Sequence, residues 1–416
     1  MDTPGEVAGN GLLERRTLMS GGIRWLAVLA AAGSTQAAGS PLAVPAWTLQ
    51  PGTDMRGYGQ PSPHESGIAR SVVGRGGTGA SRTPLESLDG TLTPNGLHFE
   101  RHHNGVPAID PAAHKLVIHG LVARPLIFSM EDLLRYPRVS RIHFLECSGN
   151  SAACFAPEPL PLTAGELHGL VSASEWTGIP LSILLDEAGV DQEARWLVAE
   201  GADAAALTRS VPLPIAQGEA MLALYQNGER LRPENGYPLR LFLPGIEGSA
   251  NIKWLRRLEV TRLPGMARDE TSKYTDLGPD GRSRMFSLAM GVKSVITTPS
   301  GKQQIPAPGY VQISGVAWSG AGRIQRVEVS ADGGQSWADA ELQSPVLARA
   351  LTRFRMPWRW DGRPCVLQSR ATDEQGNIQP SRQAFLASHG YRHVYHYNAI
   401  QSWAVAADGA VSNTYA

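Results

Sequence analysis

The sequence predicts an α+β domain followed by an antiparallel β-sandwich, on three observations. Between Arg101 and Leu263, short strand-like runs alternate with helical ones, without the regular strand–helix–strand repeat of a doubly wound sheet. From about residue 286 the chain changes to short runs of period-two alternation separated by turn residues. The length of 416 residues, with 42% hydrophobic and 18% charged residues, is enough for two or three ordinary globular domains. Lys plus Arg and Asp plus Glu are 38 each, so no global field attracts nucleic acid or anionic lipid.

The N-terminus reads as an address. Glu14-Arg15-Arg16-Thr17-Leu18-Met19 precedes an apolar run, Trp25 to Ala32, and then the small residues Thr35-Gln36-Ala37-Ala38. Residues 1–38 therefore fit a twin-arginine export signal, which puts the mature chain in the periplasm. Gly21, Gly22 and Arg24 dilute the apolar run, which is too short for a membrane anchor; an uncleaved buried helix is the alternative. Residues 39–100, rich in Gly, Pro and Ser, read as an extended arm.

Within the α+β domain, residues 101–265, Leu116 to Ile118 is a strand, Ser129 to Tyr136 a helix capped by Ser129, and Pro180 to Ala188 a second helix closed by Gly189. "RWLVAEGAD", "AMLALYQNGERL" and "YPLRLFLPG" are strand-like, with Asn227-Gly228 as a hairpin turn. Residues 266–285 read as a linker carrying Tyr274, and 286–390 as the sandwich, with turns at Asp332-Gly333 and Gln375-Gly376-Asn377. Arg326 and Glu328, alternating with Val327 and Val329, read as its solvated face, and 391–416 as a C-terminal tail.

Several familiar sites are missing from the sequence. It has no His-Glu-x-x-His helix and no Gly-x-Ser-x-Gly elbow. It also has no Cys-x-x-Cys-His, so the chain attaches no c-type haem itself. "GRGGTG" near Arg75 lacks a following Lys-Ser/Thr and reads as a flexible loop. "RIHFLECSGNSAAC", in contrast, holds two of the three cysteines. Ile142, Phe144 and Leu145 read as a buried strand that ends in the turn Ser148-Gly149-Asn150-Ser151, leaving Cys147 at the strand end. Turn amides and nearby arginines there favour a lowered thiol pKa. An exported chain with three cysteines is not built on a disulfide framework. A Cys147–Cys154 disulfide and an inert core thiol are the alternatives, and Cys365, alternating with Leu367, reads as packing. "HFERHHNGVP" adds Arg101, His102 and His103, and "ENGYPLRLFLPGIEGSANIKWLRRLEV" adds Arg240 and Lys253.

The order and content of these motifs resemble the sulfite oxidase family of molybdenum enzymes, from Arg101 to the end of the chain. "GLHFERHHNGVP", "YQNGERL", "DETSKYTDL" and "FRMPWRWDG" are most similar to the molybdenum subunits of sulfane dehydrogenases of the bacterial thiosulfate-oxidising Sox system. The resemblance implies a sulfite-oxidase-type molybdopterin domain followed by an immunoglobulin-like domain of dimerisation type. It implies a molybdenum–molybdopterin cofactor of the bis-oxo kind, with Cys147 as the metal's protein ligand, a role suited to a soft thiolate. Arg101 corresponds to the arginine beside the metal oxo group and Tyr274 to the active-site tyrosine. His103, Asp203, Arg240 and Lys253 correspond to cofactor-binding positions, while His102 is equally read as a plain loop residue. The implied partners are a c-type cytochrome subunit as electron acceptor and a sulfur-carrier protein as substrate.

The sequence also departs from the members that oxidise free sulfite. Where they carry a second arginine after the cysteine this chain has Ala152, and their histidine before Gly-Tyr-Pro is Asn235. Their Trp-Asn-x-Arg-Gly segment reads Tyr397-Asn398-Ala399-Ile400-Gln401. A site with fewer cations suits a sulfane on a carrier cysteine better than a free dianion. A dehydrogenase of free sulfite and a molybdenum reductase are the alternatives within the family. Outside it stand an exported binding module and a cysteine hydrolase using His103 or His143 as base.

Overall fold

A computed structural model of the chain describes residues 6–13, 44–390 and 394–416. Two sheets form the first domain. One has the order Thr208–Pro212, Trp196–Gly201, Leu255–Thr261, Lys115–Gly120, Leu126–Ser129, with a single parallel pairing between Leu255–Thr261 and Lys115–Gly120. The other runs Glu229–Arg230, Met221–Gln226, Val171–Pro180, Val139–Glu146, with Arg240–Phe242 also paired to Met221–Gln226. Helices are few and short. Met130–Leu133 starts at the Ser129 cap, where Asp132 completes a capping box, and Leu181–Ala188 ends at Gly189, whose φ is +71°. The Asn227-Gly228 hairpin turn is present, with both residues at positive φ (48° and 80°).

The second domain is a sandwich of two antiparallel sheets. Glu328 is a correction to the alternation seen in the sequence: its carboxylate is buried, and Arg370 and Arg326 bind it from the sheet surface. The residues read as a C-terminal tail also differ. Ser402–Val405 and Val411–Thr414 are strands added to Cys365–Asp373, and Trp403 is fully buried. The intervening Gly and Asp residues, which weaken the pattern, belong to the tight turn before Val411.

The arm is more ordered than its composition suggests. Ser71–Arg75 and Thr78–Arg82 form a hairpin, and Glu100–His102 pairs with its second strand. "GRGGTG" is the turn of this hairpin rather than a loose loop, because Gly76 and Gly77 supply the two positive φ angles that a tight turn requires. Upstream, Glu6–Ala8 and Leu12–Leu13 extend the sandwich sheet beside Thr352–Trp360, with Leu12 fully buried. Of the export-signal reading over residues 1–38, these two strands are described, while Arg15, Arg16 and the apolar run Trp25 to Ala32 lie outside the described residues.

The two domains share one interior. Phe144, Cys154, Leu167 and Val171 of the first domain pack with Trp318, Phe385, Tyr397 and Trp403 of the second. Strand alternation explains the division of labour along Val139–Glu146. Phe144 and Glu146 face the sandwich, while Leu145 and Cys147 belong to a separate cluster with Phe99, Trp176 and Phe242. Glu146 is 1% exposed; it accepts from Trp318 Nε1 at 2.6 Å and from Asn150 Nδ2 at 2.8 Å, and lies 3.7 Å from Lys293 Nζ. Lys293, also 1% exposed, donates to Ser151 Oγ at 2.5 Å and to the Tyr397 carbonyl at 2.8 Å. Removing one member of such a pair strands the other charge, so Lys293→Met is expected to cost about 3–5 kcal/mol in urea unfolding. Adding Glu146→Gln should recover at least about 1 kcal/mol of that loss, and strictly additive losses would show that the pair is not coupled.

Candidate active site

Cys147 ends its strand where the backbone turns. Its N–H donates to the Leu170 carbonyl at 2.9 Å and its own carbonyl accepts from Asn150 N–H at 2.9 Å. Ser151 completes the turn in the left-handed region at φ 66°. Gly248 lies directly against this corner. A Cβ there would stand 3.0 Å from the Glu146 oxygen and 3.3 Å from Cys147 Cα, so the close approach needs glycine.

Cys147 opens onto a cleft. The cleft gathers the residues that the motifs assign to the site: Arg101, His102, His103, Cys147, Asp203, Arg240, Lys253 and Tyr274 all line it, whereas His143, Cys154 and Cys365 do not. Arg101 arrives on the short strand Glu100–His102. Tyr274, just after the helix Arg268–Ser272, has its hydroxyl 2.9 Å from His103 Nε2. Burial first, and then the Arg101 and Lys273 charges, push His103 down to about 4, so its imidazole is neutral at pH 7. Burial raises the Tyr274 phenol, with the Cys147 thiol adding to it. His102 is more than a loop residue: Nε2 meets Glu100 at 2.7 Å and Nδ1 meets Lys253 Nζ at 2.8 Å.

The Cys147 thiol does not have the lowered pKa expected from its turn. Burial raises it, and Glu247 and Glu146 add to this, against the smaller lowering by the Gly149 amide and Arg101. A thiolate here calls for a cation at the sulfur itself, as a bound metal supplies. Cys154 is a free core thiol raised to about 12 by burial, and Cys365 is a partly buried one also raised to about 12; all three cysteines are free.

The opposite end of the cleft carries excess positive charge. Arg240 is buried, and among the described residues its Nε has no hydrogen-bond partner and no carboxylate stands within salt-bridge distance. Burial alone lowers it to about 9. Lys253 is pushed well below its ordinary range by burial and by Arg240. Gly236, at φ 114°, lets the chain pass between them, where a Cβ would stand 3.2 Å from each neighbour's Cβ. Buried cations left without counter-charge fit an anionic group such as the phosphate of a pterin cofactor, and a soft thiolate at the other end fits its metal.

A charged cluster that sequence reading missed lies behind Tyr274. Arg209, fully buried, stacks its guanidinium 4.6 Å from the Tyr274 ring centre and donates Nη2 to Glu247 at 2.6 Å, with Glu270 at 3.6 Å from Nε. His396, from the far end of the chain, approaches Glu247 at 3.3 Å and donates its N–H to the Ser148 carbonyl at 2.8 Å. Tyr395 packs its ring 5.6 Å from that of Tyr274. The one hint in the sequence was a glutamate set in the glycine-flanked "PGIEGS" run.

Residues 103–267 match the family described as oxidoreductase molybdopterin binding domain, and residues 284–402 match the Mo-co oxidoreductase dimerisation domain. Chicken sulfite oxidase is 31% identical over 70% of this chain and 69% of its own length. The chain belongs to the sulfite oxidase family of molybdenum oxidoreductases. Mouse mitochondrial sulfite oxidase is also 31% identical, over 72% of the chain, which spans 60% of that enzyme's length. The crystal structure titled sulfane dehydrogenase SoxCD from Paracoccus pantotrophus superposes with a TM-score of 0.88 at 44% identity, covering 90% of this chain and 98% of that one. As a family member the chain uses a molybdenum–molybdopterin cofactor.

The cluster behind Tyr274 predicts a pH response. Burial would raise Glu247, but the His396 hydrogen bond and the Arg209 charge outweigh it and hold the carboxyl at about 2 instead of the ordinary 4.5. A depressed carboxylate adds stability above its unfolded value, lost as pH falls through the folded one. Glu247→Gln should therefore lose on the order of 3 kcal/mol at pH 7. The gap to wild type should shrink as pH falls from 4.5 to about 2, read from urea midpoints across that range. A gap that stays constant with pH would show that the carboxylate charge is not the source.

Proposed function

We propose that this chain is the molybdenum subunit of a periplasmic sulfane dehydrogenase, oxidising sulfane sulfur held on a carrier-protein cysteine and passing electrons to a c-type cytochrome subunit. The observation that carries the reading is the 44% identity along 98% of a chain of the SoxCD structure. The cation-poor positions Ala152 and Asn235 support it.

In this reading Cys147 holds the metal, Arg240 and Lys253 hold the pterin phosphate, and Asp203 and His103 contact the pterin. The bound cofactor, of bis-oxo type, supplies two-electron oxygen transfer to sulfur. Arg101 presents a guanidinium where charge develops on the transferred oxygen. Tyr274, its phenol raised by burial and held by His103, remains a proton donor at neutral pH and orients the reacting sulfur group.

The sequence offers no haem-attachment motif and too few cysteines for an iron–sulfur cluster, and in this reading a docked cytochrome would accept the electrons. The exposed Trp47, Leu49, Met55 and Tyr58 of the arm support docking there. The arm's hairpin is bonded to the cleft rim through Thr78 Oγ1 and the His103 carbonyl. The aromatic end of the chain is a poorer candidate, because Tyr397 is buried among Phe155 and Phe385. The dimerisation domain supports an oligomeric assembly. The decisive experiment compares oxidation of carrier-bound sulfane and of free sulfite by the purified complex. Sulfane should lead in kcat/KM by at least about ten-fold, equivalent to about 1.4 kcal/mol in the barrier. The isolated chain should reduce added cytochrome c poorly until the haem subunit is restored. Faster turnover of free sulfite, with rapid reduction of soluble cytochrome c by the chain alone, would overturn the reading in favour of a sulfite dehydrogenase.

A further inference from the structure

The cleft differs in charge at its two ends, and the difference has a structural cause. At the pterin end, Arg240 lies buried and Lys253 partly buried, with no carboxylate within salt-bridge distance among the described residues. At the sulfur end Arg101 lines the cleft, and behind Tyr274 two further groups can carry positive charge, Arg209 under the Tyr274 ring and His396, whose backbone N–H donates to the Ser148 carbonyl of the Cys147 turn. Both are taken by one carboxylate. Glu247, 3% exposed, holds Arg209 Nη2 at 2.6 Å through one oxygen and stands 3.3 Å from His396 Nε2 through the other. Of the other donors, Nη1 binds Ser249 Oγ on the cleft wall, and Nε faces Glu270 at 3.6 Å without a hydrogen bond.

Glu247 owes this place to the close passage of Gly248 against Cys147, which brings the preceding residue beside the strand end. Tyr395 and Tyr274 complete an aromatic wall on the same side. Such a wall takes apolar stems of a carrier segment more readily than a hydrated ion.

We propose that Glu247 sets the charge selectivity of the sulfur end: by holding Arg209 and His396 it denies them to a free dianion, so that the site takes sulfur as a neutral or monoanionic group borne on a larger carrier. This deepens, and rests on, the sulfane reading above. Glu247 is thus a specificity-determining residue that acts through its two partners.

The test uses the full-length, cofactor-loaded complex and two small probes of like shape, sulfate as dianion and methanesulfonate as monoanion, with dissociation constants measured by calorimetry at pH 7. Wild type should bind methanesulfonate more tightly than sulfate. Glu247→Gln should tighten sulfate by at least about ten-fold, change methanesulfonate much less and so reverse the preference, while Glu247→Asp, which keeps the charge, should retain the wild-type order. A residue with a purely structural role would move both constants together. An unchanged ratio in Glu247→Gln overturns the proposal. If that variant does not fold, wild type alone decides, because tighter binding of sulfate than of methanesulfonate also overturns it. Turnover of carrier sulfane by wild type is a separate readout: a complex that oxidises sulfane but shows an unchanged ratio loses this proposal and keeps the sulfane reading.

Discussion

Glu146 enters the interior one residue ahead of Cys147, and Lys293 of the sandwich meets it there. Much of the site's geometry follows from this contact. Because side chains alternate along a strand, sending Glu146 to the sandwich commits Cys147 to the opposite face, and a one-residue slip would exchange them. The same lysine binds Ser151 at the end of the cysteine turn and the Tyr397 carbonyl. Tyr397 is the residue after His396, so one buried ammonium fixes both the turn and the C-terminal segment that reaches over it. Its burial is costly for both charges, and a fully hydrogen-bonded arrangement of Trp318, Asn150 and Ser151 offsets that cost.

The second domain therefore does more than pack against the first. It contributes His396 and Tyr395 to the back of the cleft, and its core runs without interruption into Phe144 and Val171. Charge is arranged along the cleft to match. Arg240 and Lys253, without carboxylate partners among the described residues, mark the end suited to a phosphate, while Arg209 and His396 behind Tyr274 are met by the buried Glu247. A soft, sulfur-rich centre held by Cys147 would supply the stabilisation that its thiolate lacks in the protein alone.

Much of this was legible in the sequence where a residue's type and its immediate neighbours determine the outcome. The Ser129 cap, the Gly189 stop and the Asn227-Gly228 turn form as local chemistry requires. All eight cleft residues singled out from motifs converge on one cavity. What escaped depended on distant partners. Glu146, Lys293, Arg209, Glu247 and His396 carry no local signal of their role, because the fold places each in the interior with a partner far along the chain. The strands Ser402–Val405 and Val411–Thr414 were hidden because their neighbour, Cys365–Asp373, ends well before them in sequence. The Cys147 pKa was misjudged for a related reason: the turn amide and Arg101 are visible locally, whereas the burial and the Glu247 charge that outweigh them are not.

The measurement that bears most directly on this picture is X-ray absorption at the molybdenum edge of the purified protein, compared with Cys147→Ser. If Cys147 is the protein ligand, the serine variant will keep its pterin, as Arg240 and Lys253 are untouched. It will show one fewer sulfur neighbour at the metal, replaced by a shorter oxygen contact, since serine offers a hard donor in place of a soft one. An identical sulfur shell in wild type and variant, with molybdenum retained, would contradict the assignment of the cleft and of the strand end that presents Cys147 to it.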